Sequence, residues 1–340
     1  MTIETIPLAK IEEKAKELQL RIEEGEAGVQ LLKIPELDKN IPIYDFRNLT
    51  HQVMIAKALA KGERMAMFGG VWGAFRAVKR NTTAEDFFHR QVKPGRPWEA
   101  KVPLMIKPKD GLRLIDWSQV HSNFRFLSDY AEFKKLWNLH PAFLHIIAPV
   151  RPTKHSLPDI FITTPQDYQK RYSGNDIIQV STVALLHRHD PYLEHLSAWV
   201  ERFSHTAMSL GVSTLNPHGE EPPYTEKELF EDIKTARCKV AEIDLIVTDR
   251  LYEESGAFGS HTQLRLPLVG ESPTLKVLRI GSLSIDGFET ATGLQCDPPA
   301  LGIKDVRKNQ GENLDAKLSQ MRQEIEANWK LEKSKIYFRA

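Results

Sequence analysis

The chain has 340 residues, of which 41% are hydrophobic, so it is long enough to bury a substantial core in one large domain or two. Its 46 Lys and Arg residues against 45 Asp and Glu leave a net charge of +1. Bulk charge therefore gives no argument for binding nucleic acid, and a basic surface would have to be local. Two cysteines are too few for a disulfide framework, and no segment is apolar enough to cross a bilayer, so we expect a cytoplasmic protein with no membrane contact.

The N-terminal residues 1–47 are predicted to form a helical extension. Apolar residues from Leu8 to Leu32 recur among many Glu and Lys at an imperfect helical spacing, and Gly25 and Gly28 would divide the helix into two pieces. We expect this extension to pack on the outside of the core. A partner-binding arm is the alternative.

A core domain is predicted over residues 48–290. It begins with a helix from His51 to Lys61 and a strand that runs into a glycine-rich turn at Gly69 and Gly70. The remaining elements are a helix from Thr82, a strand from Phe143 to Ala148, a loop or linker over 150–178, a strand from Ile177 to Leu186, a helix after Pro191, a helix from Glu226 to Ile233 and a strand from Val240 to Thr248.

A C-terminal helical extension is predicted over residues 291–340. Leu314, Leu318, Met321 and Ile325 recur at helical spacing, which is typical of an amphipathic helix docked on a core. Its basic end could touch RNA, although such a tail is commonly plain surface.

Polar residues follow the short apolar run that ends at Val212. That run predicts a buried strand, and Pro217 and Gly219 cannot continue it. Ser213, Thr214 and Asn216 would then lie at the carboxyl end of the strand, where open α/β sheets bind their ligands. An ordinary strand-to-helix loop is the alternative interpretation.

Two cations lie beside a glycine in the segment after the helix predicted from Thr82. Lys93 and Arg96 could together bind an anion such as a triphosphate or a carbamate, although a solvated loop has the same composition. His187 and His189 have H-x-H spacing but no third ligand, so we expect no metal site.

Several motifs, in order along the chain, resemble those of the YrdC/Sua5 family. Val71-Trp72-Gly73-Ala74 resembles the family's Val-Tyr-Gly-Leu, and Lys93-Pro94-Gly95-Arg96-Pro97 resembles its Lys-Gly-Arg-Pro. Thr214 to Gly219 resembles its Ser-Ala-Asn-x-Ser-Gly, and Arg279-Ile280-Gly281 resembles its Arg-x-Gly, with Thr262 near a hydroxyl position. The resemblance implies an α/β fold: a YrdC-like twisted open mixed sheet with helices on its faces.

The resemblance also implies an activity. A YrdC-like enzyme would combine an amino acid, bicarbonate and ATP, which brings Mg²⁺ with it, into a carbamoyl-adenylate such as threonylcarbamoyl-AMP, for tRNA modification. Lys93 and Arg96 would be catalytic, and they would share one pocket with the residues that bind nucleotide and substrate. Those residues would be Ser213, Thr214, Asn216, Thr262, Arg279 and Trp72.

Two positions depart from the family pattern. Phe68-Gly69-Gly70 stands in place of a Pro-Thr-Asp-Thr segment, and Leu186 stands where the family has an arginine. Two alternatives follow: a non-catalytic YrdC-like module that binds nucleotide or RNA, such as tRNA or double-stranded RNA, and an enzyme that uses an amine other than threonine.

Overall fold

The structure, a computed structural model, describes most of the 340 residues. The described ranges are 21–24, 28–34, 38–77, 86–137, 141–151, 157–172, 177–235, 237, 242–300, 303–308 and 313–337.

One mixed sheet contains all thirteen strands found in the described ranges. They are β1 (Arg21–Glu24), β2 (Gln30–Ile34), β3 (Lys39–Asp45), β4 (Arg64–Phe68), β5 (Trp72–Ala77), β6 (Leu104–Ile106), β7 (Leu144–Pro149), β8 (Ile162–Thr163), β9 (Thr182–His187), β10 (Ser209–Thr214), β11 (Leu245–Thr248), β12 (Thr262–Arg265) and β13 (Lys276–Arg279).

The strand order across the sheet is β1-β2-β3-β11-β4-β5-β10-β6-β9-β7-β12-β13, and β8 pairs with β9 beside this path. β10 runs antiparallel to both of its neighbours, whereas β11 runs parallel to β3 and β4. Every residue of β7, β11 and β12 is buried, which means that both faces of the sheet are covered there. The predicted α/β class with a mixed, open sheet is confirmed.

Nine α-helices accompany the sheet in the described part of the chain. They are α1 (Leu49–Lys61), α2 (Pro108–Leu114), α3 (Tyr130–Lys135), α4 (Pro165–Arg171), α5 (Pro191–Ser204), α6 (Glu226–Lys234), α7 (Arg250–Glu254), α8 (Ile285–Thr292) and α9 (Leu314–Tyr337). Asp86–Val92 forms a π-helical turn, and Ser122–Ser128 and Asp159–Phe161 form 3-10 helices.

The prediction of a helical N-terminal extension is wrong for its described residues. β1, β2 and β3 form an antiparallel meander, and β3 pairs with β11, so this segment belongs to the central sheet. Leu32 and Ile34 are buried while their neighbours are partly exposed, a period of two that the surrounding Glu and Lys obscured. Residues 1–20, which contain much of the predicted helix, lie outside the described ranges.

The predicted linker over 150–178 is also partly wrong, because α4 lies within it. Thr164 caps this helix by accepting a hydrogen bond from the Asp167 N–H, and Pro165 occupies the first turn. That capping signal was present in the sequence. Elsewhere β9 begins at Thr182 rather than Ile177, and β11 begins at Leu245 rather than Val240, which lies outside the described ranges.

The C-terminal helix is confirmed as α9. Leu314, Leu318, Met321 and Ile325 are buried, and Trp329 packs edge-on against the Tyr192 ring of α5. No helix in the described ranges has the length and apolarity that a membrane span needs.

Candidate functional site

An open cavity of about 1000 Å³ lies at the carboxyl end of β10. Its wall combines the 93–103 segment, the residues from Val212 to Tyr224, the β12 and β13 region, and a strip over 304–308. Basic side chains dominate its charged lining: Lys93, Arg96, Lys170, Arg171, Arg279, Lys304, Arg307 and Lys308.

The two predicted catalytic cations meet the end of β10 directly. Lys93 Nζ donates to Thr214 Oγ1 at 2.6 Å, and an Arg96 terminal nitrogen donates to Ser213 Oγ at 3.0 Å. Arg96 also donates to the backbone carbonyls of Ala100 and Lys101, so its own loop fixes the orientation of the guanidinium. The structure thus brings the residues of two distant motifs together, as the sequence predicted.

The cations of the lining fall into two groups. Salt bridges join Lys170 to Glu99 and Lys308 to Glu228, and Arg307 pairs with Asp305. The other five, Lys93, Arg96, Arg171, Arg279 and Lys304, have no carboxylate partner among the described residues and leave the cavity with uncompensated positive charge. Three of them, Lys93, Arg96 and Arg279, lie in the motifs that the sequence singled out, and we call these three the cation cluster.

The surroundings of the cation cluster lower the pKa of each of its three residues. Partial burial, reinforced by the charges of Arg96 and Arg279, lowers the pKa of Lys93 to about 7. Burial and the nearby Arg171 lower the pKa of Arg96 to about 9 and that of Arg279 to about 10. An anion in the cavity would relieve all three shifts, because it would favour the protonated form of each group.

A row of hydrogen bonds lies beneath the cation cluster. Gln263 Nε2 lies 2.9 Å from His145 Nδ1, and His145 Nε2 lies 3.0 Å from His261 Nδ1. The His261 ring also bonds to the backbone of Gly69, and the His261 carbonyl accepts from Arg279 Nε. Burial first, and then neighbouring positive groups, lower the pKa of both histidines, so the row is neutral and orients Arg279.

Asn216 lines the cavity, but its amide is used by its own loop. Nδ2 donates to the carbonyls of Pro217 and Glu220. Because both carbonyls can only accept hydrogen bonds, the amide nitrogen must point toward them. The amide oxygen, Oδ1, which is also an acceptor, points the other way. The amide hydrogens of Asn216 are thus used within the loop, and its Oδ1 has no hydrogen-bond partner among the described residues. That Asn216 binds a ligand stays a prediction, and such a ligand would have to donate to Oδ1.

Trp72 and Thr262 do not line the cavity. Trp72 is fully buried against Phe68, and it supports the site through its backbone, whose carbonyl accepts from Leu215 N–H and whose N–H donates to the Pro223 carbonyl. Thr262 Oγ1 donates to the Leu283 carbonyl and accepts from Gly281 N–H, so its hydroxyl joins two backbone segments. Neither residue is placed to bind a ligand as predicted, because each side chain is enclosed by packing.

The altered Gly69-Gly70 turn is likewise packed away from the cavity. A Cβ on Gly69 would lie 2.6 Å from the Phe143 ring, and one on Gly70 would lie 2.7 Å from the Gly259 carbonyl. Gly70 also has φ of +88°, which favours glycine. The turn has no room for the hydroxyl and carboxylate side chains that the related motif carries.

Sequence reasoning missed several residues of the cavity. Arg171 was assigned to the predicted linker. The Thr164-Pro165 pattern, which is typical of a helix start, would have predicted the helix that ends at Arg171. Gln263, His145 and the 304–308 strip belong to none of the motifs recognised in the sequence. In the described ranges no group of three or more His, Cys, Asp or Glu residues could hold a metal ion.

Comparison with known proteins gives likeness of fold at low identity. The sequence matches no family model and no curated protein. Among solved structures, Sua5 of P. abyssi in complex with L-threonine is similar over 76% of this chain and 64% of its own, with 17% identity and a TM-score of 0.48. The chain thus spans just under two thirds of the length of that protein.

Two other solved structures are also similar. E. coli YciO matches 70% of this chain and 93% of its own, with 14% identity and a TM-score of 0.43. A HypF in its phosphate- and nucleotide-bound form matches 69% of this chain and 29% of its own, with 11% identity and a TM-score of 0.42.

Proposed function

We propose that this protein binds the phosphates of ATP in the cation cluster and forms a carbamoyl-adenylate from an amine and bicarbonate. The observation that carries the proposal is that Lys93 and Arg96, which have no carboxylate partner in the described ranges, donate to two hydroxyls at the end of β10, and that Arg279 lines the same cavity. Polyphosphate is the ligand that supplies the missing negative charge.

The two hydroxyls are oriented for phosphate oxygens. Ser213 Oγ accepts from Arg96 and Thr214 Oγ1 accepts from Lys93, so each hydroxyl retains its own proton for a ligand oxygen. A cavity of about 1000 Å³ also has room for a nucleotide and a small second substrate.

In the proposed reaction, an oxygen of the carbamate attacks the α-phosphorus, and the bond from that phosphorus to the leaving pyrophosphate breaks. Little covalent chemistry is asked of the protein: the cation cluster would position the phosphates and neutralise charge that develops on them. Mg²⁺ would arrive with the nucleotide, since Glu99, Glu220 and Asp305 of the lining are already paired with basic residues.

The test is ATP binding by calorimetry, followed by release of pyrophosphate from ATP with bicarbonate across a panel of amino acids and other amines. Binding and amine-dependent release are the expected results. Failure of ATP to bind would overturn the proposal. A tRNA acceptor can be added to the same assay, since transfer to tRNA is the use that the motif resemblance implies.

A second candidate is a non-catalytic module that binds nucleotide or RNA. The observation that favours it is the Gly69-Gly70 turn, which is closed off by Phe143 and Gly259 and offers no side chain to an amine substrate. Leu186, fully buried where the related motif has an arginine, points the same way. Tight ATP binding with no pyrophosphate release for any amine would favour this candidate.

A further inference from the structure

Lys93 is an amine in surroundings that disfavour a positive charge. Its only hydrogen-bond partner among the described residues is the Thr214 hydroxyl, and its neighbours Arg96 and Arg279 are cations. No carboxylate within the described ranges pairs with it. With a pKa of about 7, a large fraction of Lys93 is the neutral, nucleophilic amine at neutral pH.

The charge of the product decides which electrophile suits such an amine. An aldehyde or ketone would give an imine whose protonated form returns a positive charge to a pocket that already has an excess. Carbon dioxide instead gives an anion. The negative charge would lie among Arg96, Arg279 and the Thr214 hydroxyl, where charge-assisted hydrogen bonds would stabilise it.

We propose that Lys93 reversibly binds CO₂ as a carbamate and that this adduct competes with phosphate for the cation cluster. The lone pair on Nζ forms a bond to the carbon of CO₂, one C=O electron pair moves to oxygen, and one proton leaves the nitrogen for solvent. No oxidant or metal is needed. The competition rests on the proposed anion site, whereas formation of the adduct does not.

The geometry allows CO₂ to reach the Lys93 amine and keeps two cations beside the adduct. The cavity is open to solvent, and Lys93 and Arg279 are only partly buried, so CO₂ enters without rearrangement of the fold. Arg96 is held by two backbone carbonyls and cannot turn away from the adduct. Apart from its Nε bond to His261, Arg279 makes no hydrogen bond to a described residue, which leaves its terminal nitrogens for a ligand.

The charged groups that act most strongly on Lys93 are basic: Arg96, Arg279, Arg171 and Lys304, from its own loop, β13, α4 and the C-terminal strip. His218, in the loop after β10, also interacts with Lys93. Of the acidic groups in the lining, Glu99, Glu220 and Asp305 are paired with basic residues and Glu221 is exposed. At a fixed CO₂ pressure, the amount of adduct should therefore rise with pH through about 7, the pKa of Lys93.

The experiment incubates the protein with ¹³C-bicarbonate, traps carbamates by alkylation with a trialkyloxonium salt, and locates them by peptide mass spectrometry. We expect a trapped adduct on Lys93, its loss in Lys93→Arg and its retention in Lys304→Arg. Lys304 is the matched control because it lines the same cavity but is exposed. No adduct on wild-type Lys93, or the same adduct yield on Lys304, would overturn the proposal.

A competition measurement covers the case in which Lys93→Arg fails to fold, as judged by circular dichroism. Excess pyrophosphate added to wild-type protein should suppress the Lys93 adduct, and an unchanged yield in the presence of bound pyrophosphate would contradict the competition. ATP binding is measured separately in CO₂-free buffer. An adduct without ATP binding defeats only the proposed function, and ATP binding without an adduct defeats only the carbamate.

Discussion

Two groups of basic residues in this protein differ in whether carboxylates compensate their positive charge. Arg47 and Arg188, both buried, form salt bridges with the carboxylates of Asp190 and Asp249. Burial acts to lower the pKa of Arg47, but these two carboxylates raise it above its usual value. We call these four residues the paired network.

The cation cluster is the reverse case, with lowered pKa values and no carboxylate partner in the described ranges. A network whose charges compensate one another acts on the stability of the fold. A group of cations without carboxylate partners is suited to bind an anionic ligand, which would supply the opposite charge. The comparison teaches that the missing partner, rather than the arginine itself, marks the site.

The largest expected effect is on the stability of the paired network. Asp249→Ala would leave two buried arginines facing one carboxylate, and we expect a loss of about 3–5 kcal/mol in the free energy of unfolding. Urea denaturation measures this. The matched control is Glu132→Ala, which breaks the exposed pair with Lys135 and should cost less than about 1 kcal/mol. Equal losses for the two variants would remove the distinction.

The next effect concerns ligand affinity. Arg279→Ala should weaken ATP binding by about ten- to a hundredfold, since a charge-assisted bond to phosphate contributes roughly 1.5–3 kcal/mol. Arg307→Ala is the control, because Arg307 lines the same cavity but is neutralised by Asp305. Calorimetry on both folded variants decides, and unchanged affinity for Arg279→Ala would exclude that residue from the site.

An effect that is smaller for each pH unit appears in the pH dependence of stability. The folded pKa of Lys93, about 7, lies below the unfolded value of 10.5, so the unfolded chain binds more protons between these two values. Stability should therefore rise with pH across that window, by up to about 1.4 kcal/mol per pH unit from this group, while the penalty is fully present below pH 7. Lys93→Met should lack that component in urea titrations; identical slopes for wild type and variant would contradict the shift.

The smallest expected effect is discrimination between amine substrates. Because the Gly69-Gly70 turn carries no hydroxyl or carboxylate and is sealed by Phe143, nothing at this turn can read the threonine hydroxyl. We expect kcat/KM to differ little between threonine, valine and serine. A threonine preference above about a thousandfold would show that other groups in the cavity bond that hydroxyl.

The sequence predicted the parts of the molecule whose signals are local. The strand before Ser213 and α9 followed from apolar patterns, whereas the α/β class and the meeting of Lys93 with Thr214 followed from the family resemblance and the order of its motifs. The N-terminal strands were not predicted because they join the sheet through the pairing of β3 with β11, some 200 residues away, while their composition resembles that of a helix.

Side-chain roles were harder to predict than positions. Thr262 and Asn216 carry suitable polar groups, but backbone groups that no linear pattern reveals bond to the Thr262 hydroxyl, which lies outside the cavity, and to the amide nitrogen of Asn216. The basic residues after Pro299 are the opposite case. No sequence pattern indicated that Lys304 and Lys308 line the cavity, because only the tertiary fold brings them there.

Residues 304–308 also determine when, during synthesis of the chain, the wall of the cavity can be completed. Residues 304–308 attach by backbone bonds to Ile280 and face Gly259 across an isolated bridge. During synthesis from the N-terminus, Lys93, Arg96 and Arg279 are all made before the wall that encloses them. A growing chain therefore contains all three residues of the cation cluster before residues 304–308 can close the cavity around them.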